Sequence, residues 1–214
     1  MINNKTVLIT RPNDDQTLNF LYYWTEKIIN EALKRKFNLL DLKGNKATKD
    51  NFESYIAKNH PSLIFFNGHG TKSSILGYNN ESLVEYGKNE DLLLDKIVYA
   101  RSCESASELG ARSKAKAFIG YIWKFTFMYY EDNISHPLND ELAEKFLEPS
   151  NLVATLLLKG KSAGEAHNRS RNLMLKNYFE MVSSKGTFEE QRIASFLWGN
   201  IVGQRLYGDL DVHI

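Results

Sequence analysis

Short apolar runs recur along the chain, each too brief for a helix, and longer amphipathic stretches separate them. Thr6-Val-Leu-Ile-Thr10 is closed by Arg11-Pro12, which reads as a buried strand entering a loop. Asp14 and Asp15 then precede TLNFLYYWTEKIINEALKRK, where Leu18, Leu21, Tyr22, Ile28, Ile29, Ala32 and Leu33 recur at helical spacing. Acids ahead of this stretch and Lys/Arg at its end suit the helix dipole. Residues 37–42 read as a second strand, and 49–59 as a second helix ended by His60-Pro61.

The third strand, Ser62-Leu-Ile-Phe-Phe66, runs directly into Asn67-Gly68-His69-Gly70. A polar insertion follows, with a short strand predicted at 74–77 and a short helix around 91–94. Lys96-Ile-Val-Tyr-Ala100 is the fourth strand and leads into Arg101-Ser102-Cys103. The pattern next predicts a short helix over 106–114 and a fifth strand over 117–122. Helices follow at 137–147, 163–176 and around 188–197, before a tail carrying Ile201-Val202 and Gly208–Val212. Continuously apolar strands alternating with amphipathic helices indicate a parallel sheet covered on both faces. The expected fold class is α/β, a three-layer sandwich with a mostly parallel sheet.

Composition changes this picture mainly by exclusion. A chain of 214 residues fits one domain over 1–214, and such a chain buries roughly 70 % of its unfolded surface. Hydrophobic residues at 43 % and charged residues at 25 % belong to a soluble globular protein rather than a disordered one. A net charge of +1 gives no drive toward nucleic acid or an anionic membrane. No apolar run approaches the ~20 residues that span a bilayer, and MINNKTVLIT lacks the apolar core of a signal peptide. A single cysteine makes no internal disulfide, which favours a reducing compartment, here the cytoplasm. No metal spacing, P-loop or Gly-x-Gly-x-x-Gly is present, so no metal or cofactor is expected.

That single cysteine carries the candidate chemistry. In open parallel sheets, ligands and reactive groups gather at the carboxyl ends of the strands. His69 and Cys103 each lie just past such an end. On neighbouring strands about 5 Å apart, their side chains converge on one substrate atom. The histidine can then take the thiol proton and later protonate a leaving amine. Gly68 and Gly70 allow a sharp turn, and a backbone N–H there with that of Cys103 can stabilise an oxyanion. A helix opening after Cys103 would lower the thiol pKa. The competing reading is a cysteine that is a small buried hydrophobe and a histidine that is a structural hydrogen-bonder.

With these motifs in view, the chain resembles the caspase-like cysteine peptidases, a clan that includes caspases, gingipains and clostripain, and most of all the CHAT domains. Leu63-Ile-Phe-Phe-Asn-Gly-His69-Gly70 and Ile97-Val-Tyr-Ala-Arg-Ser-Cys103 are similar to the strand-end segments of that clan. Phe118-Ile-Gly-Tyr-Ile-Trp123, Gly160-Lys-Ser-Ala-Gly-Glu-Ala166 and Leu206-Tyr-Gly-Asp209 resemble three further segments, with Leu210 where proline is usual. The resemblance implies a caspase-hemoglobinase fold, His69 as general base and acid, and Cys103 as nucleophile. It also implies an oxyanion hole from the amides of Gly70 and Cys103. No sensor domain accompanies the motifs, so either this is a stand-alone peptidase or its regulator is a separate polypeptide. Arg101 stands where the clan has a small residue; it either assists thiolate formation or points outward.

Trp123, Glu131 and Asp132 follow the fifth strand on the same rim and are candidate substrate-binding residues. The two acids would pair with a Lys or Arg before the cut bond; a solvated loop is the alternative. Glu104 and Glu108 suit a helix start. Arg11 is read as a loop arginine, with a substrate carboxylate or regulatory anion as the rival role. His136 is expected in a turn, and His167 on a solvated basic helix face with Arg169, Arg171 and Lys176. His60 and His213 have no evident partner, and Tyr22, Tyr23 and Trp24 read as core and helix face. The expectation is a cysteine endopeptidase acting on a protein or peptide substrate. A silent caspase-like interaction module and a small-molecule cysteine hydrolase are the rivals.

Overall fold

The computed structural model describes residues 5–214; residues 1–4, which open the segment read for a leader, lie outside the described residues. The chain runs β1 (Thr6–Arg11), α1 (Gln16–Lys34), β2 (Asn38–Lys43), α2 (Lys49–Asn59) and β3 (Leu63–Asn67). The insertion holds a hairpin of β4 (Ser74–Leu76) and β5 (Ser82–Glu85). Then come β6 (Ile97–Arg101), α3 (Leu109–Arg112) and β7 (Ala117–Tyr121). Three long helices, α4 (Glu141–Leu158), α5 (Ala163–Val182) and α6 (Phe188–Gly203), lead to β8 (Gln204–Gly208).

Six strands form one sheet in the order β2-β1-β3-β6-β7-β8, and all pair in parallel except β8, which is antiparallel to β7. Strand alternation sorts each apolar run between two cores. Val7, Ile9, Phe65, Tyr99 and Ile119 pack under α1, α4, α5 and α6. Leu8, Ile64, Phe66, Val98 and Phe118 pack under α2, the hairpin and the segment leading into α3. The runs are apolar throughout because both faces are covered. This is the expected three-layer α/β sandwich.

Helix starts follow their side chains. Asp15 accepts the Leu18 N–H at 2.8 Å to cap α1, and Thr187 with Glu190 forms a capping box on α6. Helix ends depart from the pattern. The helix predicted to stop at residue 147 continues through Pro149 to Leu158. Proline removes the N–H that would reach the Lys145 carbonyl, and Asn177 Nδ2 from α5 donates to that carbonyl at 2.8 Å instead. The tail also forms an edge strand, β8. Its Gly208 has φ +89°, and a Cβ there would lie 2.3 Å from the Lys116 carbonyl, so a side chain is excluded.

Candidate active site

β3 and β6 are neighbours in parallel register, with Asn67 opposite Arg101. His69 and Cys103 each stand two residues further on, so their loops leave the same edge of the sheet at the same level. Together with Thr17, Leu21, Gly68, Arg101, Ser102, Phe125 and Phe127 they line one narrow cleft of about 20 Å3. Gly70 is pressed against the cysteine loop: a Cβ on it would lie 2.7 Å from the Cys103 carbonyl oxygen and 2.9 Å from Ser102 Cβ. Any larger residue would push the two loops apart. Among the described residues, neither the Gly70 nor the Cys103 amide donates to a backbone carbonyl.

Asp15, an acid at the start of α1, also reaches the site. One carboxylate oxygen caps α1, and the other lies 2.5 Å from His69 Nε2. With Nε2 engaged, Nδ1 is the ring nitrogen left for proton transfer. The available signal was positional: Asp15 follows the end of β1, on the rim where His69 follows the end of β3.

Cys103 is partly buried, and its thiol donates to the Phe125 carbonyl at 3.8 Å. Burial pushes its pKa up and the Glu104 charge adds to the rise; the Phe125 contact and Lys124 only partly offset them. The helix expected to follow Cys103 is not there. Glu104 turns away at φ +55°, and α3 is a single turn that starts only at Leu109. α3 therefore presents no N-terminus to the sulfur, so the expected lowering of the thiol pKa from that source is absent.

The remaining candidates are dispersed. Glu131 opens a short 3-10 turn with Asp132, and both are exposed outside the cleft lining. Trp123 is 52 % exposed beside Gly203, also outside that lining. Arg11 is buried rather than in a loop; it donates to both oxygens of Asp41 at 2.9 and 2.7 Å and lies 4.2 Å over the Tyr22 ring. Arg101 does not point outward either, being fully buried among the helices of the α1 face. His167 is largely buried rather than on a solvated face, and burial with Arg171 and Arg205 pulls its pKa down to about 4. His136 precedes a 3-10 turn, His60 caps α2 at φ 46°, and His213 Nδ1 meets the Gly160 carbonyl at 2.9 Å. Among the described residues no group of three or more His, Cys, Asp or Glu could hold a metal ion, and no helix is long and apolar enough to cross a membrane.

Strand order, the antiparallel last strand and helices on both faces define the caspase-like α/β fold. Among solved structures, the chain is similar over 99 % of its length to the complex of Porphyromonas gingivalis RgpB pro- and mature domains, with a TM-score of 0.56, 10 % identity and 48 % of that chain covered. The Arg-specific cysteine proteinase gingipain R (RgpB) matches with a TM-score of 0.56, 11 % identity and 47 % of its chain covered. The chain therefore spans about half the length of these neighbours, and at such identity the likeness is one of fold. No family model and no curated protein sequence matches the chain.

Proposed function

We propose that this chain is a cysteine endopeptidase of the caspase-like clan, nearest within it to the CHAT domains, and that Cys103 is its nucleophile. The observation that carries this reading is the meeting of His69 and Cys103 in one cleft at matched ends of adjacent parallel strands. His69 Nδ1 accepts the thiol proton, and the sulfur adds to the scissile carbonyl carbon. The Gly70 and Cys103 amides receive the oxyanion. Collapse breaks the C–N bond, and His69 returns the proton to the leaving amine. Water, deprotonated by His69, then adds to the thioester and expels the thiol. Asp15 holds the imidazole in the required tautomer and supports its charge.

The cysteine proteinase neighbours support the class of reaction. A protein or peptide is the substrate, and a regulator would be a separate polypeptide. No acid lines the cleft among the described residues, so Glu131 and Asp132 would select a basic residue only from outside it. Replacing Cys103 with Ala should abolish peptide cleavage and labelling by an acyloxymethyl ketone. Undiminished proteolysis in that variant would end the proposal.

A second reading, a catalytically silent interaction module, is favoured by one observation. The cleft's 20 Å3 has room for about one water molecule and not for a peptide side chain, so the site in this form is closed to a peptide. Failure of the wild-type thiol to react with any acyloxymethyl ketone, with and without peptide substrate, selects the silent module.

A further inference from the structure

Residues 124–130 run without helix or strand from the end of β7 toward α4. This segment places Phe125 and Phe127 in the cleft lining, and its Phe125 carbonyl accepts the Cys103 thiol at 3.8 Å. Among the described residues, no backbone–backbone hydrogen bond involves residues 124–129. Two other kinds of contact hold the segment down. Its rings stack inward, with Phe125 4.8 Å from Tyr121, and Phe127 and Tyr129 5.9 and 4.3 Å from Phe20. Its backbone is gripped by one side chain from α6. Asn200 Oδ1 accepts the Thr126 N–H at 3.0 Å, and Asn200 Nδ2 donates to the Thr126 carbonyl at 2.6 Å. A carboxamide holds a donor and an acceptor side by side, so Asn200 gives Thr126 both bonds that a neighbouring strand would give.

The two sides of this grip differ in rigidity. Asn200 is buried in the last turn of α6. That end is fixed, because the Gly203 carbonyl accepts the Ile122 N–H at 2.9 Å and β8 pairs with β7 from Gln204 onward. The remaining cleft walls are also fixed: Gly68, His69 and Ser102 leave paired strands, and Thr17 and Leu21 belong to α1. A segment with so few backbone bonds is the wall that opens at least cost. We propose that residues 124–130 are an autoinhibitory strap over Cys103 and that Asn200 is its latch. This rests on the reading of Cys103 as the nucleophile. Latched, the strap leaves room for about one water and keeps the sulfur where burial disfavours the thiolate. Unlatched, the Thr126 backbone groups turn to water, Phe125 and Phe127 draw off, and the sulfur meets solvent. His69 and Cys103 need no rearrangement, since they already stand past matched strand ends.

Iodoacetamide is too large for a one-water cleft, so the rate at which the Cys103 thiolate displaces its iodide reports opening. The test measures that rate near neutral pH on the whole chain, alongside thermal unfolding. Asn200→Ala removes both bonds to Thr126. Alkylation should speed up by roughly tenfold or more, the scale of two hydrogen bonds of net-favourable strength. Asn200→Leu deletes the same bonds while filling the space, and it should accelerate alkylation likewise even where the smaller variant fails to fold. Asn177→Ala removes one bond between α5 and α4, outside the cleft lining. It should lower the melting temperature and leave the alkylation rate at the wild-type value, which separates unlatching from general loosening. A wild-type alkylation rate in the folded Asn200 variants would overturn the proposal, as would equal acceleration in Asn177→Ala. Alkylation needs no peptide turnover. Faster alkylation in Asn200 variants that cleave no peptide would support the strap and count against the endopeptidase reading alone.

Discussion

Arg11 at the end of β1 and Arg101 at the end of β6 leave the sheet at the same rim, and both are buried. Arg11 meets Asp41 in a two-pronged pair, with Glu26 3.8 Å away. Burial pulls its pKa down, but the hydrogen bond and charge of Asp41 outweigh that and leave it raised. Arg101 hydrogen-bonds four residues where Arg11 hydrogen-bonds one, but none of the four is a carboxylate, and its pKa falls to about 10. The contrast separates two requirements of a buried guanidinium. Arg101 finds acceptors without a counter-charge, whereas Arg11 has its counter-charge and leaves a buried Nη1 without a hydrogen bond.

Removing each cation sharpens that contrast. Arg101→Met strands the acceptors of Asn67, Asn151 and Thr25, and should cost about 3–5 kcal/mol in urea unfolding. A loss below ~1 kcal/mol would show that the hub contributes little. Arg11→Met should cost less, about 1–3 kcal/mol, because the Asp41 side chain is 22 % exposed and water can solvate it. Equal losses for the two variants would erase the distinction drawn between them.

His167 extends the comparison to a cationic group that can discharge. Burial, then Arg171 and Arg205, hold its pKa at about 4, below the ordinary 6.5. The unfolded chain therefore binds this proton first as pH falls. The stability involved is complete above pH 6.5 and is lost as pH drops from 6.5 toward about 4. Wild-type stability should fall by about 2 kcal/mol across that window after screening, and His167→Leu should flatten this part of the profile. Urea unfolding at several pH values checks it; an unchanged slope in the variant would assign the acid sensitivity elsewhere.

Much of the architecture was legible because burial on both faces writes itself into a strand as an unbroken apolar run. Val7, Phe65, Tyr99 and Ile119 show it, and the strands that hold them formed close to where the pattern put them. Elements whose support comes from elsewhere in the chain were not legible. α4 crosses Pro149 because Asn177, distant in sequence, takes over the Lys145 carbonyl. β8 forms because β7 offers an open edge to a half-polar segment. The helix expected over 106–114 is only the single turn Leu109–Arg112, and Glu104 ahead of it has a left-handed backbone.

At the candidate site, the sequence determined which residues stand at the strand ends: His69 after β3, Cys103 after β6, and glycines narrow enough to let the loops touch. Those are local facts, set by apolar runs and turn residues that each segment carries within itself. Only the tertiary structure decided that Asp15 would hold His69, that Arg101 would go inward without a carboxylate, and that Glu131 and Asp132 would stand outside the cleft. Charge pairing and side-chain direction depend on which elements end up side by side, and that is fixed by packing across the sheet rather than by neighbours along the chain.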